Sequence, residues 1–68
     1  MNFYDKNQTP LQVGDKIIPD EGRVLRIVSI AYVDDYQSDC MFGQQIEDPM
    51  AFSLLTKENL ELQWTKTE

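Results

Sequence analysis

Val13-Gly14-Asp15-Lys16-Ile17-Ile18, then Pro19-Asp20-Glu21-Gly22, then Arg23-Val24-Leu25-Arg26-Ile27-Val28-Ser29-Ile30, is the stretch that decides the fold. A Gly-Asp corner lets the chain change direction sharply before an apolar strand, because glycine has no Cβ to clash and aspartate bonds its own backbone. The Pro/Asp/Gly turn separates that strand from a longer one rich in Val, Ile and Leu, which suits a pleated, half-buried surface. Two strands joined in this way open a small twisted β-barrel.

Working outward, residues 12–18 read as a short strand with a bulge or corner at Gly14, and residues 23–33 as the longest strand. Strict alternation fails in the long strand, where Arg26 interrupts one face and Ser29 the other. A bulge near Arg26 would turn both Val24 and Ile27 inward, with Ile30 following. Asp34-Asp35-Tyr36-Gln37-Ser38-Asp39 is an acidic loop without apolar period; residues 40–46 form the next strand, with a bend at Gly43. Glu47-Asp48-Pro49 is a second turn and residues 51–55 a fourth strand. Thr56-Lys57-Glu58-Asn59 reads as a single helical turn capped by Thr56. Leu60-Glu61-Leu62-Gln63-Trp64 then alternates as a closing strand with Leu60, Leu62 and Trp64 on one face. The competing reading is one amphipathic helix over 53–64; Phe52-Ser53 and Gln63-Trp64-Thr65 favour strand. Ahead of the barrel, residues 3–11 form a leading segment around a turn at Asp5-Lys6-Asn7-Gln8, with Pro10 at an edge.

A chain of 68 residues has room for one domain, residues 1–68, with 1–8 and 65–68 as the candidates for mobile ends. Its core must be small and its stability a few kcal/mol. The lone cysteine, Cys40, excludes an intramolecular disulfide and suits a reducing cytoplasm. The N-terminal residues lack the basic patch and apolar run of a secretory signal, and no segment approaches the ~20 apolar residues that span a bilayer. A soluble, cytoplasmic protein is expected. Twelve acidic side chains against six basic ones give a net charge of −6. Such a charge repels nucleic-acid phosphates unless the cations share a face. Lys6, Lys57 and Lys66 are scattered, but a hairpin could gather Lys16, Arg23 and Arg26.

Val13-Gly14-Asp15-Lys16-Ile17 with Gly22-x-Val24-x-x-Ile27 is similar to the opening of KOW-type and related small barrels. Thr56-Lys57-Glu58-Asn59-Leu60-Glu61-Leu62 resembles the helical turn and closing strand of SH3 domains. Together they imply an all-β fold, a five-stranded SH3-like barrel with a single helical turn before the last strand. The opening from Asp5-Lys6-Asn7 to Val13-Gly14-Asp15 is also similar to openings of short prophage and mobile-element proteins of Gram-positive bacteria. The aromatic constellation that binds proline-rich peptides in SH3 domains is missing, and so is the basic face of an RNA-binding KOW module. The resemblance therefore implies fold rather than activity.

Nothing in the chain supplies catalytic equipment. There is no histidine, no nucleophile elbow and no phosphate loop, so neither enzyme activity nor a cofactor is expected. Asp34, Asp35 and Asp39 have the oxygen donors that calcium prefers, but not the spacing of an EF-hand loop, so no metal site is expected. Asp39 beside Cys40 disfavours the thiolate, which argues for an inert thiol. Aromatic residues remain. The plainer reading has Tyr32 and Trp64 closing the core with polar tips at the surface. The functional reading makes Tyr32, Tyr36 and Trp64, with Asp34, Asp35 and Asp39, the anchors of a protein-interaction module that meets a more basic partner. Nucleic-acid binding by a KOW-like module, or acidic mimicry of nucleic acid to inhibit a host protein, are the alternatives. Unblocked sheet edges leave a monomer or a weak homodimer as the expected state, with Pro10 and charges near the loop ends as guards.

Overall fold

In the computed structural model, which describes residues 2–67, strands dominate and one short helix interrupts them. A two-stranded antiparallel ribbon, β1 (Phe3–Tyr4) with β2 (Pro10–Leu11), precedes the main sheet. That sheet contains β3 (Lys16–Pro19), β4 (Leu25–Val33), β5 (Ser38–Gln45), β6 (Phe52–Leu55) and β7 (Trp64–Thr67). All its pairings are antiparallel and the order is β6-β5-β4-β3-β7, so the last strand returns beside the first. Helix α1 (Lys57–Gln63) lies directly before β7 and packs against β1.

The Gly-Asp corner is a turn rather than part of a strand, so β3 starts at Lys16 and not at residue 12. Gly14 has a φ of +100°, a conformation that favours glycine, and its N–H donates to the Ile27 carbonyl. Asp15 Oδ2 accepts from Gln12 N, and the Asp15 carbonyl accepts from Ile27 N. The corner thereby clamps onto β4.

The bulge in β4 lies later than expected. The register runs Ile27↔Gly43 and then Ser29↔Phe42, leaving Val28 as the extra residue. Leu25 and Ile27 therefore alternate inward normally, and Val24 is only half-buried. The bulge does keep Ile27 and Ile30 on one face, opposite Gly43 and Met41. Gly43 pairs with Ile27, directly before the register break, and is a point of close packing. A Cβ there would stand 2.8 Å from Leu25 Cδ1 and 3.2 Å from Leu55 Cδ1.

The closing segment differs most from its sequence reading. Thr56 caps as expected, its Oγ1 accepting from Asn59 N at 3.1 Å. The helix then continues to Gln63, well past the single turn, and residues 60–63 are not strand. Leu60 is buried while Leu62 is exposed, which is incompatible with the shared face of a strand. The residues after the cap, Lys57-Glu58-Asn59-Leu60-Glu61-Leu62-Gln63, are mostly strong helix formers, and local propensity prevails over the alternation of Leu60, Leu62 and Trp64. The longer helix over 53–64 does not form either, because Phe52–Leu55 is held as β6.

Phe3, Leu11, Ile17, Leu25, Ile27, Met41, Leu55, Leu60 and Trp64 form one core cluster drawn from every element. Both segments expected as mobile ends are engaged: Phe3 belongs to this core, and Thr65, Lys66 and Thr67 pair with β3. Met1 and Glu68 lie outside the described residues.

Asp5 is the buried charge that joins the two ends. Its Oδ1 accepts from Asn7 N and Thr9 N, each at 2.8 Å, and its Oδ2 accepts from Lys66 N at 2.8 Å. Burial by itself pushes this carboxyl's pKa up, but the backbone donors of Lys66, Thr9 and Asn7 outweigh it and hold the net value below that of an ordinary aspartate.

Two outcomes follow for stability. Gly43→Ala should lose about 1–3 kcal/mol in urea unfolding, because two buried leucines must move. Lowering the folded-state pKa of Asp5 gives stability that is complete above the unfolded value near pH ~4 and is lost as the pH falls through the folded value. Asp5→Asn should therefore cost about 2–4 kcal/mol at pH 7 by turning an amide donor toward backbone N–H groups, and should flatten the acid limb of a pH–stability curve.

Candidate functional site

The β4–β5 hairpin outgrows the sheet that supports it. β3 pairs with β4 only at Leu25 and Arg26, and β6 pairs with β5 only from Met41 to Gln44. Beyond those limits Ala31, Tyr32 and Val33 face Cys40, Asp39 and Ser38 with no further strand on either side. The distal hairpin is thus a two-stranded arm. Its tip is a four-residue turn closed by Tyr36 N to Val33 O and Gln37 N to Asp34 O, both 3.1 Å. Gln37 adopts a φ of +50°, which lets the chain reverse without glycine.

This arm carries five of the six residues that sequence reasoning selected. Tyr32 is 59% and Tyr36 55% exposed, and Asp34 and Asp35 are exposed at the tip. Asp39 is half-buried directly across the ladder from Tyr32. Among the described residues, no ion pair involves Asp34, Asp35 or Asp39. Two phenols and three uncompensated carboxylates therefore share one projecting element.

Trp64 does not belong with them. It is only 8% exposed, lies in the core cluster, and donates from Nε1 to Asn59 Oδ1 at 2.8 Å. The expectation that it anchors a partner is corrected: the helix extending to Gln63 carries Trp64 beneath α1, and Asn59 satisfies its one donor. The plain reading thus applies to Trp64, and exposure applies to Tyr32. No metal-ligating cluster of three side chains occurs among the described residues, and the three aspartates form none.

Three of the six basic side chains are engaged by acids. Lys6 Nζ meets Asp20 at 2.6 Å, Arg23 Nη1 meets Glu47 at 2.9 Å, and Lys66 Nζ lies 3.6 Å from Asp15. Lys16 and Arg26 are cross-strand neighbours, as a hairpin could make them, but Arg23 is drawn away and Arg26 donates to the Gly14 carbonyl. Among the described residues no helix is long and apolar enough to cross a membrane.

Sequence reasoning missed one further surface, β6. Phe52 is 61% and Leu54 38% exposed, on the face opposite buried Leu55. The available signal was an uncharged, proline-free run, Ala51-Phe52-Ser53-Leu54-Leu55, with apolar residues on both faces. No protein-family model matches this chain, and neither does any curated protein or solved structure.

Cys40 is buried at the base of the arm, its Sγ 3.9 Å from the Ser38 carbonyl. Burial pushes its thiol pKa up, and the negative charge of Asp39 adds to the effect. Native protein should therefore react with a disulfide reagent at pH 8 at least about tenfold more slowly than urea-unfolded protein. Equal rates in the two states would show that the thiol is accessible.

Proposed function

We propose that this chain is a small protein-interaction module, built on an SH3-like barrel, that docks the β4–β5 arm onto a basic surface of another protein. The strand order supports the fold reading: a four-stranded meander from β3 to β6, a helix directly before the last strand, and that last strand beside the first of the five. One observation carries the functional reading. Tyr32 and Tyr36 stand exposed on a projecting hairpin among carboxylates that make no ion pair among the described residues.

Each part of that arrangement has a physical role. Exposed tyrosines supply large contact area with little rotamer entropy to lose, and their hydroxyls hydrogen-bond at the rim. Uncompensated acids steer a basic partner and raise the association rate more than the final affinity. The net charge of −6 strengthens the steering and disfavours nucleic acid as the ligand. Similarity of the opening phrase to short prophage and mobile-element proteins extends the proposal to a partner in a bacterial cytoplasm.

The test begins with affinity purification from the native host and a titration of the recovered partner. Tyr36→Ala should weaken binding by about tenfold or more, as loss of an interface anchor does. Reversing Asp34, Asp35 and Asp39 to lysine should lower the association rate strongly at low salt and much less at 0.5 M salt. Undiminished binding by the triple variant would refute the arm as the docking element. Glu21→Lys, in the turn after β3, serves as the charge control and should leave binding nearly intact.

A further inference from the structure

The five-stranded sheet has two edges, and the molecule treats them differently. In the β3–β7 ladder the Asp20 N to Gln63 O bond sets the alternation, so the backbone groups of Trp64 and Lys66 point outward from β7. Three of these groups are already taken: the Trp64 N–H donates to the Leu60 carbonyl, Lys6 N donates to the Trp64 carbonyl at 2.8 Å, and Lys66 N donates to the Asp5 carboxylate. The N-terminal turn seals this edge.

At the other edge, the Gln45 N to Ala51 O bond sets the β5–β6 alternation. Ser53 and Leu55 then bond to β5, and the N–H and C=O of Phe52 and Leu54 point away from the sheet. No charge, proline or bulge blunts this strand, the devices by which edges are normally protected. The expected guard, Pro10, lies in the separate β1–β2 ribbon. The same two residues expose their side chains on the outer face, Phe52 at 61% and Leu54 at 38%.

We infer that β6 is a self-association edge, and that its occupant is β6 of a second copy of this chain, antiparallel about a two-fold axis at Ser53. That register is self-complementary. Phe52 of each copy lies opposite Leu54 of the other, the two residues exchange both backbone bonds, and their apolar side chains meet on one face. Charge favours the same occupant. In a chain of net charge −6 the strand is uncharged, and the antiparallel register brings Lys57, unpaired among the described residues, toward the turn that holds Asp48 in the other copy.

Area sets the strength. Phe52, Leu54 and Met50, exposed at 61%, 38% and 88%, could bury at most about 350 Å² per copy, some ~700 Å² in all, well below the ~1,200 Å² of a standard stable interface. The pair should therefore be weak, with a dissociation constant on the order of 100 µM, and its exchange rapid.

Sedimentation equilibrium of the full chain from ~10 µM to ~1 mM tests this inference independently of any partner of the arm. The weight-average mass should climb from one chain toward two, and in wild-type protein the Phe52 and Leu54 amides should gain hydrogen-exchange protection with concentration. Phe52→Lys adds a charge to the edge, and Leu54→Pro removes an outward N–H that β5 does not use; each should shift dissociation at least tenfold weaker while circular dichroism stays native. A mass of one chain at ~1 mM overturns the inference. So does growth beyond two chains, which would mean a head-to-tail contact. Undiminished dimerisation of natively folded Phe52→Lys, or wild-type protection appearing elsewhere than at β6, overturns it equally.

Discussion

One carboxylate, that of Asp5, holds the molecule's two ends in register. It accepts three backbone N–H groups, two from its own turn and one from Lys66 in β7, 61 positions away. A buried charge is costly unless its hydrogen bonds are complete, and no buried side-chain polar atom lacks a partner among the described residues. Accepting chiefly from backbone donors, with the Thr9 side chain adding to them, the group is rigid about the main-chain positions of Asn7, Thr9 and Lys66. Phe3 is thereby brought into the core under α1, Trp64 is fixed against the leading turn by Lys6 N, and β7 is held at the sheet edge. For so small a domain, where burial and chain entropy nearly balance, this long-range tie is worth as much as a core side chain.

Much of the middle of the fold is legible in the sequence because it is decided locally. Gly14-Asp15 and the Pro19–Gly22 turn have few conformations open to them, and the apolar, β-branched run after Gly22 leaves little but a strand. The acidic tip could be read for the same reason: residues 34–39 offer nothing to bury. Misreadings arise where two local signals agree with different structures. Leu60, Leu62 and Trp64 alternate like a strand, yet Leu60 and Trp64 are also four apart, and the helix that Thr56 starts uses that second spacing. The bulge at Val28 is a related case, since Arg26 can be exposed in an ordinary alternation and the break is needed only to place Ile27 and Ile30 together.

Asp5 and Trp64 were illegible for a different reason. A carboxylate within Asp5-Lys6-Asn7-Gln8 is expected to bond the next few amides, and it does, but its second oxygen meets a strand that only the finished fold brings there. Trp64 carries two readings in the sequence, a side chain that closes the core or an anchor at the end of the last strand, and only the finished fold, with Asn59 at its Nε1, decides for the core. Tyr32 is the mirror case. It sits on the same strand face as Ile30, at a level of the hairpin that neither β3 nor β6 reaches, and is exposed there.

The sealed edge and the open edge are linked through this geometry. Because Asp5 takes the outward N–H of Lys66 and Lys6 takes the outward carbonyl of Trp64, β7 is capped, and within the five-stranded part of the sheet β6 is the edge left open to an added strand. The arm's tip lies at the end of β5 that adjoins the C-terminal end of β6. In an antiparallel pair of β6 strands those ends point apart, so two copies would display their acidic arms in opposite directions, with both β6 strands between them. Repulsion between the arms is then minimal, which is how a chain of net charge −6 can pair with itself at all. Two weak arms on one particle could also engage a repeated basic surface with an avidity that neither arm has alone, provided the spacing of that surface matches. Self-association and partner binding would in that case reinforce each other while sharing no residue.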